Sequence, residues 1–386
     1  MPVKPVSSDY RKTLMMIVVV VMLAVLGSCA ILVRGGDGQA ATPEAFKNLY
    51  AVPEDTGARV SASYFFRRAW VQLTRDNAST DVPPVVPLDL AGMQGQAFAV
   101  AWLGHAAMLV RAGELWILVD PALSDTAGPV QGFGPARLTP LPLTLGQLPH
   151  IDVVLISHDH YDHLDLGTIQ HLAKQAGGAP KFMVGRGLAE WFRWNAGSDA
   201  KEFGWWDSVQ VGETVFRFVP AQHNSGRMPL HRNTTLWGGW VIGHGGKQFY
   251  FPGDTAFVSQ LFDDIRQRIG PIDLAALPIG AYEPRALMRF EHLNPDDALR
   301  AHQLLRASRS LGVHWGSFQL GDEEPFQAAT DLASAVQEHK VDHFGLMPVG
   351  GFMPVDGELP GALLLPGELR PVRAHDRQPV TAQAAR

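Results

Sequence analysis

The sequence predicts an α/β fold, and three observations lead there. From Ala97 onward, short β-rich runs alternate with turn residues and with helical patterns. Hydrophobic residues make up 46% of the chain and charged residues 18%, the balance of a protein with a large buried core. At 386 residues, a four-layer α/β fold still makes one cooperative unit, so the expectation is one domain with an N-terminal appendage.

The elements follow in chain order. Lys4, Arg11 and Lys12 precede an apolar run from Leu14 to Leu26, the basic start and short apolar core of a secretory signal. Leu26-Gly27-Ser28-Cys29 resembles the lipobox of bacterial lipoproteins, in which Cys29 becomes a lipidated anchor. Apolar residues continue through Ala30, Ile31, Leu32 and Val33, and a run of about 20 residues also spans a bilayer uncleaved. Both readings tether the chain to a membrane, on the exported side of a bacterial cell envelope; a simple removable signal is the plainer alternative. Gly35-Gly36-Asp37-Gly38 reads as a linker. The segments are therefore 1–41 as signal, anchor and linker, 42–96 as a Pro-interrupted extension packed on the core, 97–369 as the main domain and 370–386 as a polar tail.

Within the main domain the expected strands run from Phe98 to Trp102, Leu115 to Asp120, Val153 to Ser157, Lys181 to Val184, Val215 to Val219, Phe249 to Phe251, Leu274 to Pro278, Gly312 to Trp315 and Phe344 to Pro348. Leu166 to Gln175 and Phe326 to Lys340 read as helices. Another is opened by Asn294 as N-cap with Pro295 in the first position and Asp296 and Asp297 in the first turn.

Charge narrows the function. A formal net charge of -6 supplies no basic field for a phosphate backbone, which excludes a nucleic-acid surface and leaves a small or lipid substrate. Cys29 is the only cysteine, so a metal site in the body must use imidazole and carboxylate. The buried run Val153-Val154-Leu155-Ile156 ends at Ser157-His158-Asp159-His160-Tyr161-Asp162-His163-Leu164-Asp165, where the chain leaves a sheet edge. His158, His160, Asp162 and His163 put three imidazoles and a carboxylate within six residues, ligands that suit zinc and that a loop can share between two ions. One loop cannot close such a site. His223, Asp254 and His314 each stand at or just beyond the end of a later strand, though each taken singly is also an ordinary hydrogen-bonded loop residue.

His158-Asp159-His160-Tyr161-Asp162-His163, followed in order by His223, Asp254 and His314, resembles the H-x-H-x-D-H signature and ligand order of the metallo-β-lactamase superfamily. The resemblance implies a four-layer αβ/βα sandwich and two Zn2+ per chain. His158, His160 and His223 would hold one ion, Asp162, His163 and His314 the other, and Asp254 would bridge them, with Asp120 orienting a ligand imidazole. A narrower likeness rests on Trp102-Leu103-Gly104-His105, the whole of Ser157 to Asp165, Pro278-Ile279-Gly280-Ala281-Tyr282-Glu283-Pro284-Arg285, His292-Leu293-Asn294-Pro295 and His314-Trp315-Gly316-Ser317-Phe318. These are similar to the N-acyl-phosphatidylethanolamine-hydrolysing phospholipases D. That implies hydrolysis of a lipid phosphodiester to phosphatidate and an N-acylethanolamine by bridging hydroxide, with Asp162 and Asp254 catalytic. Tyr282 and His292 lie in a loop after a core strand and are candidates to contact substrate phosphate, a packed or capping role being the alternative. Two alternatives stay open: a lactonase or β-lactam hydrolase on the same bimetallic site, and a non-catalytic metal-binding surface lipoprotein.

Overall fold

A computed structural model describes residues 45–50, 80–227, 232–357, 363–365 and 367–374. Cys29 and segment 1–41 lie outside these residues, and among the described residues no helix is long and apolar enough to cross a membrane.

After β1 (Asp81–Val82) and the short helix α1 (Leu90–Gln94), β2 (Phe98–Gly104), β3 (Ala107–Ala112) and β4 (Leu115–Val119) form an antiparallel meander. β5 (Val153–Leu155), β6 (Lys181–Gly185) and β7 (Ala200–Phe203) extend it in parallel, with the crossover helices α2 (Leu166–Leu172) and α3 (Ala189–Ala196) between them. A second sheet begins with the antiparallel strands β8 (Ser208–Val211), β9 (Thr214–Val219), β10 (Gly239–His244) and β11 (Lys247–Phe251). It continues in parallel through β12 (Leu274–Pro278), β13 (Arg309–Val313) and β14 (Phe344–Gly345), joined by helices α4 (Ser259–Ile269), α5 (Arg285–Met288), α6 (Pro295–Leu305) and α7 (Gln327–His339). β15 (Phe352–Pro354) closes the first sheet against β2, so each sheet has seven strands, and β16 (Val372–Arg373) pairs with β1.

Strand alternation explains the layering. In β2, Phe98, Val100 and Trp102 face the core shared with Phe216, Trp240 and Phe251 of the second sheet. Ala99, Ala101 and Leu103 face the opposite side, where Ile169 and Leu172 of α2 and Phe192 of α3 cover them. Leu261, Phe262, Leu299 and Leu332 cover the outer face of the second sheet. Both faces of the central strands are thus dry, which is why these strands read as continuous apolar runs, whereas the edge strands β7 and β8 stay partly exposed. The result is a four-layer αβ/βα sandwich.

The pairing also sets where strands end. β2 is antiparallel to β3, and β3 to β4, so β2, β4 and β5 all finish at one edge of the first sheet; by the same count β9, β11, β12 and β13 finish together in the second. Two sequence expectations need correction here. The strand expected over Gly312 to Trp315 is β13 at Arg309–Val313, because His314 turns to φ 63 and leaves the ladder. The run expected from Phe344 to Pro348 pairs only over Phe344–Gly345.

Candidate metal centre

The His-rich loop leaves β5 and is pinned at both ends. At its start, Gly238 N–H donates to Ser157 O at 3.0 Å. At its end, Asp165 caps α2, accepting from Gly167 N and Thr168 N at 3.3 and 3.2 Å, and also accepts from Ser124 Oγ at 2.7 Å. Asp159 points away from the cluster and takes Gly226 N–H and the Thr235 hydroxyl at 2.7 and 3.0 Å, which ties the loop to the segment after His223.

Two glycines permit the other loops to approach. Gly253, with φ 66, lies so close to Ser157 that a Cβ there would meet the Ser157 Cβ at 2.6 Å, and this contact delivers Asp254. Gly280, after β12, backs onto His314, whose carbonyl oxygen would stand 2.1 Å from any Cβ.

Three imidazole nitrogens converge first: His158 Nε2 and His223 Nε2 lie 2.9 and 3.2 Å from His160 Nδ1. A second set lies beside it. His163 Nε2 is 3.2 Å from His314 Nε2, and Asp162 Oδ2 is 3.3 and 3.4 Å from these two atoms. Asp254 stands between the sets, with Oδ1 3.0 Å from His314 Nε2 and Oδ2 3.2, 3.8 and 3.9 Å from His163, His223 and His158 Nε2. All of these side chains except His160 and Asp162 are buried.

Hydrogen bonds outside the cluster determine which way the lone pairs point. Asp120, following β4 at φ 43, takes the His163 Nδ1 proton at 2.7 Å through Oδ2 and the Ser157 N–H at 2.7 Å through Oδ1. The Glu291 carbonyl takes the His223 Nδ1 proton at 2.9 Å. Both rings therefore spend Nδ1 outside the cluster and turn Nε2, the nitrogen a metal would take, inward. Asn48 brackets the His223 backbone, donating to its carbonyl at 2.9 Å and accepting its N–H at 3.2 Å.

The charges agree. Burial alone would raise Asp254 and Asp162, yet His314 and His163 hold the first, and His163 with hydrogen bonds from His105, His163 and His314 holds the second, well below the usual carboxylate range. Burial, then the neighbouring imidazoles, keeps His158 neutral; burial does the same to His223. Against burial, Asp254 and Asp162 lift His163, and Asp254 above all holds His314 at about 9. Among the described residues, every ion-pair partner of Asp162 and Asp254 is a histidine, so protons on two imidazoles supply the positive charge a cation would bring. Ligands about 2.0–2.1 Å from a tetrahedral ion lie roughly 3.3 Å from one another, close to the spacings seen here. By spacing, lone-pair direction and charge, the residues fit divalent metal.

The structure thus brings together His158, His160, Asp162, His163, His223, Asp254 and His314, with Asp120 behind them. His292 joins them, its Nδ1 3.7 Å from Asp254 Oδ2. Tyr282 does not: its hydroxyl donates to Asp331 Oδ2 at 2.5 Å on α7, so the expected phosphate contact is taken up inside the fold. Two residues of the site had no role assigned from the sequence. Asn48 sits in the N-terminal extension with no local signal, and His105, in the Gly104-His105 turn after β2, places Nε2 2.9 Å from Asp162 Oδ2.

With this geometry, comparison with known proteins is informative. The family model of the β-lactamase superfamily domain matches residues 115–315. The chain is 38% identical over 250 residues to N-acyl-phosphatidylethanolamine-hydrolyzing phospholipase D 1 of Caenorhabditis elegans, covering 62% of this chain and 70% of that protein. It is 32% identical over 228 residues to a metal-dependent hydrolase of Thermus thermophilus, covering 57% and 84%. Among solved structures, the isothiocyanate hydrolase from Delia radicum gut bacteria superposes with a TM-score of 0.53 at 20% identity over 66% of this chain and 98% of that one, a likeness of fold. The chain belongs to the metallo-β-lactamase superfamily.

Proposed function

We propose that this metal-dependent hydrolase holds two Zn2+ and cleaves the distal phosphodiester bond of N-acyl phosphatidylethanolamine-like lipids, releasing phosphatidate and an N-acylethanolamine. The observation that carries the reading is the pair of adjacent ligand sets sharing Asp254, which is the arrangement a bimetallic centre needs. The lipid part rests on the likeness to the Caenorhabditis elegans phospholipase.

When bound, such ions neutralise charge growing on phosphoryl oxygens and make water acidic enough to act as a nucleophile near neutral pH. The chain's own residues do the rest. His158, His160 and His223 hold one position, Asp162, His163 and His314 the other, and Asp254 serves both. Asp120 locks the His163 tautomer. Asp162, partly exposed, faces the incoming water and orients it. His292 Nδ1, buried without a hydrogen-bond partner among the described residues, is placed to donate to a phosphoryl oxygen. The membrane reading follows the same line: Cys29 or the apolar run around it anchors the chain beside its lipid substrate, and incorporation of radiolabelled fatty acid at Cys29 tests the lipoprotein form.

The test is to incubate the Zn2+-loaded full chain with N-acyl phosphatidylethanolamine, a lactone and a β-lactam. Release of phosphatidate, abolished by His160→Ala, is expected. Lactone or β-lactam opening without phosphatidate overturns the lipid assignment, and retained turnover in His160→Ala removes the cluster from the reaction.

A further inference from the structure

His105 is held with unusual care for a residue in a two-strand turn. Gly104 and His105 have φ of 101 and 53, a backbone region that residues other than glycine seldom adopt. The turn is clamped on every side. His105 N–H donates to Ser317 Oγ at 2.9 Å, and its carbonyl accepts from Trp102 Nε1 at 2.7 Å and from His314 N–H at 2.8 Å. Ser317 Oγ itself accepts from Thr139 Oγ1 at 3.0 Å. The turn and the His314 loop are therefore one unit, with the His105 ring 4.0 Å from the His314 ring and edge-on to Phe318.

What this clamping achieves is at the far end of the side chain. His105 Nε2 meets Asp162 Oδ2 at 2.9 Å, nearer than either His163 or His314. An ionised carboxylate only accepts, so the proton must sit on Nε2. Nδ1 is then the bare nitrogen; it has no hydrogen-bond partner among the described residues, and the ring borders a cavity of about 10 Å³ beside Phe318 and Ala281, room for roughly one water.

We propose that His105 is a positioning residue of the metal centre: by donating Nε2–H to Asp162 Oδ2 it fixes the rotamer of the one partly exposed carboxylate in the ligand set, and so sets the affinity of the position formed by Asp162, His163 and His314. Asp162 follows a loop rather than a strand and has only imidazoles as ion-pair partners among the described residues. Unheld, its side chain would lose rotamer freedom on binding metal; held, that cost is met when the protein folds. The inference rests on the metal-centre reading above.

The test uses Zn2+ alone. It is titrated into the metal-stripped full chain against a chromophoric chelator, for the wild type, His105→Ala and His105→Gln, with near-ultraviolet circular dichroism as the check of folding. Gln carries an N–H near the position of the imidazole Nε2. The expectation is that His105→Ala weakens one of two bound ions roughly 10–100-fold while leaving the other unchanged, and that His105→Gln restores binding to within a few-fold. Wild-type affinity for both ions in His105→Ala overturns the proposal. Equal weakening in Gln and Ala also overturns it, because the imidazole would then be a ligand in its own right. Should the Ala variant fail to fold, the Gln variant decides alone: near-wild-type binding supports the role and weakened binding refutes it. A wild-type chain that binds no Zn2+ would instead bring down the metal-centre reading itself.

Discussion

Asp120→Asn keeps the shape of a fully buried side chain and reverses the proton demand it makes on His163. The carboxylate accepts three donors, the Ser157 N–H and hydroxyl and the His163 Nδ1–H. An amide has one oxygen to offer. If that oxygen stays on the Ser157 N–H, the new NH2 faces His163 Nδ1, which must then become the acceptor. The ring proton moves to Nε2, into the gap shared with Asp162, Asp254 and His314, and the lone pair meant for metal is lost. If the amide turns over, its NH2 opposes the Ser157 N–H, and a buried donor without a partner costs about 1–3 kcal/mol. Either outcome should weaken Zn2+ at the His163 position roughly 10–100-fold, which is about 1.4–2.8 kcal/mol. Competition titration of the stripped variant with Zn2+ gives the affinity, and 15N chemical shifts of the His163 ring give the tautomer. A variant that binds both ions as the wild type does, with Nδ1 still protonated, would refute the reasoning.

Further outcomes follow from the same contacts. Gly280→Ala should displace the His314 backbone, since a Cβ would sit 2.1 Å from its carbonyl oxygen; loss of one ion by metal analysis together with a lower melting temperature is expected, and full metal content would contradict it. Tyr282→Phe should lower stability by about 1.5–3 kcal/mol through the lost bond to Asp331 yet leave KM for a phospholipid unchanged; a raised KM with unchanged melting would restore Tyr282 to the substrate site. Asn294→Ala removes the cap that accepts Asp297 N–H at 2.8 Å and should cost about 1 kcal/mol in thermal unfolding. Stripping metal should lower the melting temperature, and Zn2+ at about 100 times its Kd should return about 2.7 kcal/mol, measured by thermal shift.

The convergence of the candidate cluster was legible because its segments stand where apolar runs stop: β5 before His158, β9 before His223, β11 before Asp254 and β13 before His314. Runs of apolar residues mark strands, and the ends of parallel strands gather functional groups, so position along the chain carried position in space. The place of His105 in the site was illegible for the opposite reason. Its placement depends on two successive left-handed residues that reverse β2 into β3, and nothing in Gly104-His105-Ala106-Ala107 says that the ring then turns inward. Tyr282 shows the limit of local reading, because its partner Asp331 lies on α7, 49 residues away. In β10 (Gly239–His244) the apolar run is only Trp240-Val241-Ile242, set between glycines, and the strand is completed by pairing on both sides with β9 and β11. Asn48 reaches His223 across 175 residues, a contact that no pattern in the extension announces.

Counting metal in the purified full chain by inductively coupled plasma mass spectrometry tests the central claim most directly. Two zinc ions per wild-type chain, falling to one when Asp162 is replaced by Ala, are expected. Less than one metal ion per chain, with no gain on adding Zn2+ and no hydrolysis restored, would contradict the account.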